Sequence, residues 1–403
     1  MTDYLGPRLS PVPLARARQR ETLRARAFAS ESPLRRLDWL LLLAVLAMTS
    51  IGALMVWSAT RQRALDAGTD PQAYLKKHIL NAAIGLCLAA VTALIDYRSL
   101  RAYAPIVYVA SLGGLLAVLS PLGSTIKGAH SWIVLPAGFQ VQPSEFAKVA
   151  LVLGAAFILA EHRDGEHAPG DRDVLAVLGF AAVPMGLIML QPDFGTVMVF
   201  VFTILGLLAV SGAPGRWVGG LAVTGVAAGW YVVTSDVLKP YQRDRLTAFA
   251  NPTANTSSSA YNVDQAKNAI GAGGLFGKGL FNGTQTKGGF VPEQQTDFVF
   301  TVVGEELGLV GAAALLLLLG IVLWRALRIA QKANDPFGAI VAGGVVTWFS
   351  FQSFVNIGMT LGIMPVTGLP LPFVSYGGSS MFANLMAIGL LQNVRMRTLS
   401  RDP

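Results

Sequence analysis

The chain is poor in cysteine, histidine and charge, and each shortage excludes a class of site. Its single cysteine, Cys87, excludes a disulfide framework and a thiolate metal site. The four histidines are scattered and lack the spacing of metal ligands. Only 13% of the residues are charged. Any acid placed at the edge of a hydrocarbon layer therefore needs a functional reason, because ionisable groups are costly there.

Long apolar runs are what the sequence has in abundance. Hydrophobic residues make up 53% of the 403 positions, and about ten runs approach the roughly 20 residues that cross a bilayer. These runs lie near 39–58, 79–95, 103–120, 145–161, 173–190, 194–211, 217–235, 298–324, 337–356 and 376–394. We therefore predict an all-α polytopic membrane protein with about ten transmembrane helices.

Basic residues predict the orientation, because short cytoplasmic loops are rich in Lys and Arg. Residues 1–36 are arginine-rich and are expected to form a disordered basic cytoplasmic tail, with 37–397 as the membrane domain and 398–403 as a second cytoplasmic tail. The first external loop, with Arg61, Arg63, Lys76 and Lys77, is an exception. Anionic membrane lipid accounts for the net charge of +8, so nucleic acid is not expected as a partner.

The longest predicted external segment, residues 236–296, connects the seventh and eighth helices. A connection of about sixty residues far exceeds the usual length and predicts a functional loop. Within it, 261–270 is expected to form a short helix on the membrane surface. The glycine-rich segment 271–279 is expected to turn sharply, and its backbone amides and Lys278 could approach an anionic head group.

Three other external elements carry polar groups. Glu145 and Lys148, three residues apart, share one face of a helix, either as a buried ion pair or as a charged cavity wall, and the two are compatible. Asp193 lies in a turn where capping of the next helix is at least as good an explanation as catalysis. Residues 362–380, uncharged and rich in Pro and Gly, are expected to be re-entrant.

The acids concentrate in one stretch at the start of a long apolar helix. Glu293, Asp297, Glu305 and Glu306 all lie within GGFVPEQQTDFVFTVVGEELG, residues 288–308. Carboxylates at the edge of the hydrocarbon layer mark chemistry or a transport pathway. This stretch is the candidate active site.

Seven segments, in order along the chain, are KGAHSW, QPSEFAK, QPDFGT, YQRDRL, AIGAGGLFGKG, VPEQQTDFVFTVVGEELG and NIGMTLGIMPVTGLPLPFVSYGGSS. Together they resemble the SEDS family (shape, elongation, division and sporulation). The resemblance covers residues 38–395. It implies a peptidoglycan glycosyltransferase that polymerises lipid II in the bacterial cytoplasmic membrane. It also implies a class B penicillin-binding protein, a transpeptidase, as partner.

Within that family, GKGLFNGTQ, FVPEQQTDF and PVTGLPLPF are more similar to the elongation branch, RodA, than to the division branch, FtsW. Gln295 and Ala272 depart mildly from the family pattern, which bears on substrate contacts and not on the acid. The arginine-rich tail lies outside the match.

The resemblance implies roles by position. Asp297 matches the essential acid of the TDF motif, Trp132 the Trp of KGAxxW, and Glu145 with Lys148 the charged pair of QPSEFAK. An external carboxylate suits a general base for an inverting transfer. A departing pyrophosphate needs cations, for which the external supply is Lys127, Arg243, Arg245, Lys278 and Lys287. Further substrate contacts are expected from Gln285, Glu293, Thr296, Ser375, Tyr376 and Ser379.

No cofactor is certain from the sequence, and a divalent cation, Mg or Mn, is an open option at the pyrophosphate. A flippase of the lipid-linked precursor is the alternative function, because it needs the same cavity and lateral groove. The acids favour the enzyme, since they gather at outer helix ends and no internal repeat is visible. An inactive scaffold is a third reading, which the retained TDF acid disfavours.

Overall fold

The structure is a computed structural model that describes residues 33–95, 97–126, 129–135, 139–161, 168–234 and 258–399. The chain divides into two units, Met1–Leu37 and Asp38–Pro403. The described part of the first unit contains one helical turn, Pro33–Arg36.

Among its described residues the second unit has twelve helices and three short strands. In chain order they are α1 (Trp39–Asp66), α2 (Ala73–Leu94), α3 (Tyr97–Leu119), β1 (Gly123–Ile126), β2 (Ala129–Val134), β3 (Gln140–Val141), α4 (Pro143–Glu161), α5 (Asp171–Leu190), α6 (Phe194–Ser211), α7 (Gly215–Thr234), α8 (Ser258–Gly273), α9 (Thr284–Gly288), α10 (Val299–Lys332), α11 (Pro336–Leu361) and α12 (Gly378–Leu399).

The predicted class, an all-α polytopic membrane protein, is confirmed. In the part of the chain that the structure describes, eight helices are long and apolar enough to cross a membrane: α1 to α6, α10 and α11. Two more helices, α7 and α12, have 20 and 22 residues and lie where the seventh and tenth spans were expected.

Helices α4 and α11 form the centre of the bundle. In the most apolar 18-residue stretch of each helix, 83% is buried inside the protein in α4 and 72% in α11. α11 packs against α4, α6 and α10. Because lipid tails are as apolar as leucine, such helices associate through close packing. A Cβ on Gly206 of α6 would lie 2.0 Å from Oγ1 of Thr347 on α11, so only glycine permits this approach.

A small antiparallel sheet precedes α4, and the sequence did not predict it. The strand order is β1-β2-β3, with Trp132 of β2 opposite Ser124 of β1. The backbone N–H of Gln142, just after β3, donates to Oγ of Ser379 on α12 at 2.8 Å. This bond ties the sheet to the helix that follows the Pro/Gly-rich segment.

Helix α8 occupies the expected position of the surface helix but packs differently. Ala266 and Ala269 are fully buried, and the helix packs against α10 and α11. The apolar face of α8 is therefore covered by protein, and its position at the membrane surface stays a prediction.

Helix α10 is interrupted at Gly308, whose φ of 67° and ψ of −165° are outside the helical region. Such angles are open to glycine and costly for other residues. Four hydrogen bonds join the opened backbone to the glycine-rich segment: Lys278 N–H to Glu305 O (3.0 Å), Gly279 N–H to Glu306 O (3.0 Å), Leu309 N–H to Gly274 O (2.9 Å) and Val310 N–H to Leu275 O (3.1 Å).

These four bonds satisfy backbone groups that a break in a membrane helix would otherwise leave unpaired. They also occupy the amides of Lys278 and Gly279. The expectation that the amides of this segment approach an anionic head group is therefore wrong for these two.

Candidate functional site

The acidic motif forms a tight turn immediately before α10. The backbone N–H groups of Thr296, Asp297 and Phe298 all donate to the carbonyl of Glu293, at 3.1, 3.2 and 3.3 Å. Glu293 itself has a φ of 56°. A non-glycine residue in this region costs about 1–3 kcal/mol and persists only where its surroundings enforce it. The turn is thus a fixed platform for its side chains.

Asp297 lies at the end of this turn and is half-buried. The side-chain amide of Asn356 on α11 donates to the carbonyls of Asp297 (2.8 Å) and Leu369 (2.7 Å), which joins two loops. The carboxylate faces the second loop, since a Cβ on Gly368 would lie 3.6 Å from its Oδ2. The structure therefore holds the acid against the Pro/Gly-rich segment 362–377.

That segment carries Tyr376, whose backbone N–H donates to the carbonyl of Gln295 at 2.8 Å. Burial raises the pKa of the Tyr376 hydroxyl above its usual value. The hydroxyl is thus protonated near neutral pH and can donate a hydrogen bond. Ser375 is buried and its Oγ accepts from the N–H of Leu371 at 2.8 Å, so this hydroxyl supports the loop.

Glu145 and Lys148 form an ion pair inside the bundle. Lys148 Nζ lies 2.8 Å from Glu145 Oε1, and the two side chains are 2% and 3% exposed. Lys148 also donates to Gln352 Oε1 (3.0 Å), and Gln352 Nε2 donates to the Pro370 carbonyl (2.8 Å). The charged pair therefore supports the loop that faces Asp297. Direct substrate contact by these two residues stays a prediction.

Glu305 and Glu306, at the far end of the acidic stretch, are both buried. Glu305 accepts hydrogen bonds from the backbone N–H of Gln285 (2.8 Å) and Thr286 (2.9 Å) and lies 3.7 Å from Lys278 Nζ. Glu306 accepts one from the hydroxyl of Ser58 on α1. These acids hold α9 and α1 against α10.

The remaining predicted substrate contacts are distributed over several environments. Trp132 is half-buried in β2, Lys278 donates to the Thr284 hydroxyl at 2.6 Å, and Lys287 is exposed at the end of α9. Thr296 lies in the acidic turn, where its hydroxyl donates to the Glu293 carbonyl at 3.2 Å. Ser379 is buried and bound to the segment around β3. Lys127, Arg243 and Arg245 lie outside the described residues.

Asp193 has the capping role that the sequence left open beside catalysis. Its carboxylate accepts from the backbone N–H (3.1 Å) and hydroxyl (2.8 Å) of Thr196 at the start of α6, and from Gln142 Nε2 (3.1 Å). It therefore joins α6 to the end of the small sheet.

Sequence reasoning missed Asn356 and Gln352 as supports of the site. Both lie on α11, four residues apart, and are fully buried. The signal was available, because two amides on one face of an apolar helix need partners within the bundle. Which carbonyls they bind could not be read from the sequence.

No group of three His, Cys, Asp or Glu side chains in the described ranges could hold a metal ion. Mg²⁺ is often bound by one or two carboxylates together with substrate phosphates. Glu293 and Asp297, in one turn, could supply such carboxylates, so a divalent cation would depend on the substrate for further ligands.

The fold and these contacts define a polytopic helical membrane protein with a polar site at one end of α10. A family profile described as "Cell cycle protein", covering FtsW, RodA and SpoVE, matches residues 38–399. The chain therefore belongs to this family, the SEDS family.

Several curated proteins are similar to this chain. It is 37% identical over 360 residues to the probable peptidoglycan glycosyltransferase FtsW of Trichlorobacter lovleyi, covering 89% of this chain and 92% of that protein. Stage V sporulation protein E of Bacillus subtilis is 37% identical over 358 residues, 89% of this chain and 96% of that protein. Peptidoglycan glycosyltransferase MrdB of Escherichia coli K12 is 37% identical over 358 residues, which cover 89% of this chain and 93% of that protein. Equal identity to these three leaves the branch unassigned.

Solved structures share the fold. One is described as "Structural coordination of polymerization and crosslinking by a peptidoglycan synthase complex". It has a TM-score of 0.72 and 32% identity, over 90% of this chain and 98% of that one. The rod shape determining protein RodA of Thermus thermophilus has a TM-score of 0.66 and 30% identity. The match covers 91% of this chain and 98% of that one.

Proposed function

We propose that this chain polymerises lipid II into glycan strands, with Asp297 as the general base. The observation that carries the proposal is the placement of Asp297, a half-buried carboxylate held in a turn by three converging hydrogen bonds and facing an uncharged loop. Family membership and relatives named peptidoglycan glycosyltransferases support the same activity.

The chemistry needs one base. Asp297 takes the proton of an acceptor sugar hydroxyl, and the oxygen attacks the donor anomeric carbon. The bond from that carbon to the pyrophosphate oxygen breaks, and its electron pair leaves with the polyprenyl pyrophosphate. A single displacement of this kind inverts the anomeric carbon. Proton removal by a positioned carboxylate contributes about 10²–10⁴-fold to the rate.

The departing pyrophosphate requires positive charge where its own charge develops. We propose Lys278, which precedes α9, and Lys287, in the last turn of α9, as cations for this role. Lys127, Arg243 and Arg245 are proposed for the same role. Lys278 is 31% exposed and its Nζ lies 3.7 Å from the buried Glu305, so its ammonium is partly accessible.

Orientation, partner and branch complete the proposal. The arginine-rich start of the chain supports cytoplasmic termini, which places Asp297 on the extracytoplasmic side. Similarity to a peptidoglycan synthase complex described by polymerization and crosslinking supports a crosslinking partner, and we propose a class B penicillin-binding protein in that role. The motifs FVPEQQTDF and PVTGLPLPF support a role in elongation.

The test uses purified full-length protein, lipid II and a class B partner, without an ion gradient. We expect glycan chains from the wild type and none from Asp297→Asn. Asp264→Asn, which neutralises an exposed acid on α8, is the matched control and should remain active. Polymer from Asp297→Asn would remove the general-base role.

The same preparation separates the other two functions. Translocation of labelled lipid II across vesicles without polymer would favour a flippase, and neither activity would favour a scaffold. A chelator arm tests the divalent cation, since loss of polymer on chelation and recovery with Mg²⁺ would show that one is needed.

A further inference from the structure

Three aromatic rings meet where α2 passes the segment before α12. Tyr74 contacts Tyr376 edge to face, with centroids 5.1 Å apart, and His78 stacks near Tyr376 at 6.3 Å. We name these three residues the aromatic cluster. Tyr74 is 40% exposed and His78 is 1% exposed, so the cluster has one open side and one buried side.

The aromatic cluster adjoins the acidic turn. The backbone N–H of Tyr376 donates to the carbonyl of Gln295, two residues before Asp297. One turn beyond His78, the side chain of Asn81 lies against Gly378, where a Cβ would be 3.4 Å from its Nδ2. α2 therefore forms a wall against the segment that contacts the acidic turn.

Two buried acceptors lack partners among the described residues: Nε2 of His78 in the aromatic cluster and Oε1 of Gln295 in the adjoining acidic turn. The His78 ring is fixed by a hydrogen bond to the backbone of Thr49. Leaving a buried acceptor unpaired destabilises the protein, and such groups usually pair with a donor from water or a ligand. The cluster thus offers aromatic ring surface on its exposed side, at Tyr74, with unpaired acceptors buried behind it.

We propose that Tyr74 and Tyr376 form a stacking subsite for a pyranose ring of the lipid-linked substrate, with His78 as the positioning residue behind Tyr376. The inference rests on the proposed function and adds the part of the substrate that α2 contacts. A sugar presents both C–H faces for aromatic rings and hydroxyl donors for acceptors.

The test compares binding of lipid II with binding of undecaprenyl pyrophosphate, which has the same lipid and pyrophosphate but no sugar. Full-length wild type, Tyr74→Leu and Tyr74→Trp are reconstituted in nanodiscs, and KM and kcat for lipid II are measured in parallel. Tyr103→Leu, which removes an exposed tyrosine of α3, is the matched control.

We expect Tyr74→Leu to weaken lipid II binding and raise KM about tenfold, with kcat little changed, as the loss of one aromatic contact predicts. Binding of undecaprenyl pyrophosphate should not change. Tyr74→Trp, which keeps an aromatic face, and Tyr103→Leu should bind lipid II like the wild type. His78→Phe should raise KM by a smaller factor, because it leaves both tyrosines in place.

Unchanged lipid II affinity in Tyr74→Leu would overturn the subsite, and so would equal weakening for both ligands, because the contact would then be with the lipid. If Tyr74→Leu does not fold, Tyr74→Met replaces it in the same comparison. The comparison of ligand binding does not require polymerisation activity. A wild type that binds lipid II through Tyr74 but forms no polymer would therefore contradict the proposed function and leave the subsite intact.

Discussion

Glu305 and Thr286 are joined by two hydrogen bonds across 19 residues: the backbone N–H of Thr286 donates to Glu305 Oε2 at 2.9 Å and its hydroxyl at 2.7 Å. Glu305 is fully buried and also accepts from the N–H of Gln285. One carboxylate on α10 thus fixes the start of α9, next to the proposed phosphate-binding lysines.

We predict that Glu305→Gln lowers polymerisation more than tenfold and loosens α9. A carboxamide has one acceptor oxygen, and its NH₂ would face donors, so charge-assisted bonds of about 1.5–3 kcal/mol each are lost. Amide hydrogen exchange should rise at residues 284–288. Glu161→Gln, at an exposed end of α4, is the control. Protection of α9 equal to wild type would contradict the positioning role.

The buried pair of Glu145 and Lys148 gives a second prediction. Lys148→Met leaves Glu145 as an unpaired charge in the bundle, and removing one partner of a buried pair costs about 3–5 kcal/mol. We expect a marked fall in the melting temperature of the detergent-solubilised protein. The double variant Glu145→Gln/Lys148→Met should recover most of that loss, because no buried charge remains.

A double variant as unstable as Lys148→Met would contradict this account. It would show that the contacts of the Lys148 side chain itself carry the stability. These include its hydrogen bond to Gln352 and the approach of Nζ to within 5.0 Å of the Trp348 ring centroid.

The helices could be predicted from the sequence because bilayer thickness sets their length. The predicted run 194–211 forms α6, Phe194–Ser211. The predicted run 145–161 forms α4, which begins two residues earlier, at Pro143. The strands at 123–141 escaped prediction because they are two to six residues long and stand between apolar runs that dominate the pattern.

The candidate site was only partly accessible from the sequence. The acids were visible because charge is rare in this chain, but their roles differ. Glu293 and Asp297 are half-buried in a turn, whereas Glu305 and Glu306 are buried supports. That difference depends on the break at Gly308, which brings 273–279 against α10. Such a contact depends on tertiary packing, and no local pattern encodes it.

The break at Gly308 gives a third prediction. A Cβ there would lie 2.2 Å from the backbone N of Gly277, and the residue's φ is positive. Backbone strain and overpacking together should cost about 3 kcal/mol or more. We expect Gly308→Ala to lower the melting temperature and expression strongly.

Gly320→Ala is the matched control on the same helix, since nothing lies within 4 Å of its Cβ position. It should be neutral or stabilising by up to about 1 kcal/mol, because alanine favours the helix. Equal stability of the two variants would mean that the break does not require glycine.

The last prediction concerns the opposite end of α10, where Asp38 joins three helices. Its carboxylate accepts from Arg325 Nη2 on α10 (2.7 Å) and Arg395 Nη1 on α12 (2.6 Å), and it caps α1 through the N–H of Leu41 (3.1 Å). Asp38 is 1% exposed. Asp38→Asn leaves two arginines facing each other, so we expect a loss of about 3 kcal/mol in stability.

The exposed pair of Arg216 and Asp171, also in hydrogen-bond contact, is the matched control. Because water screens this pair, Arg216→Gln should leave the melting temperature close to that of the wild type. Once Asp38 is replaced, Arg395→Gln should cost much less than it does in the wild type, since its partner is gone. If the losses of the two single variants add up in the double variant, Asp38 and Arg395 act independently. The proposed joining of α1, α10 and α12 through Asp38 would then be refuted.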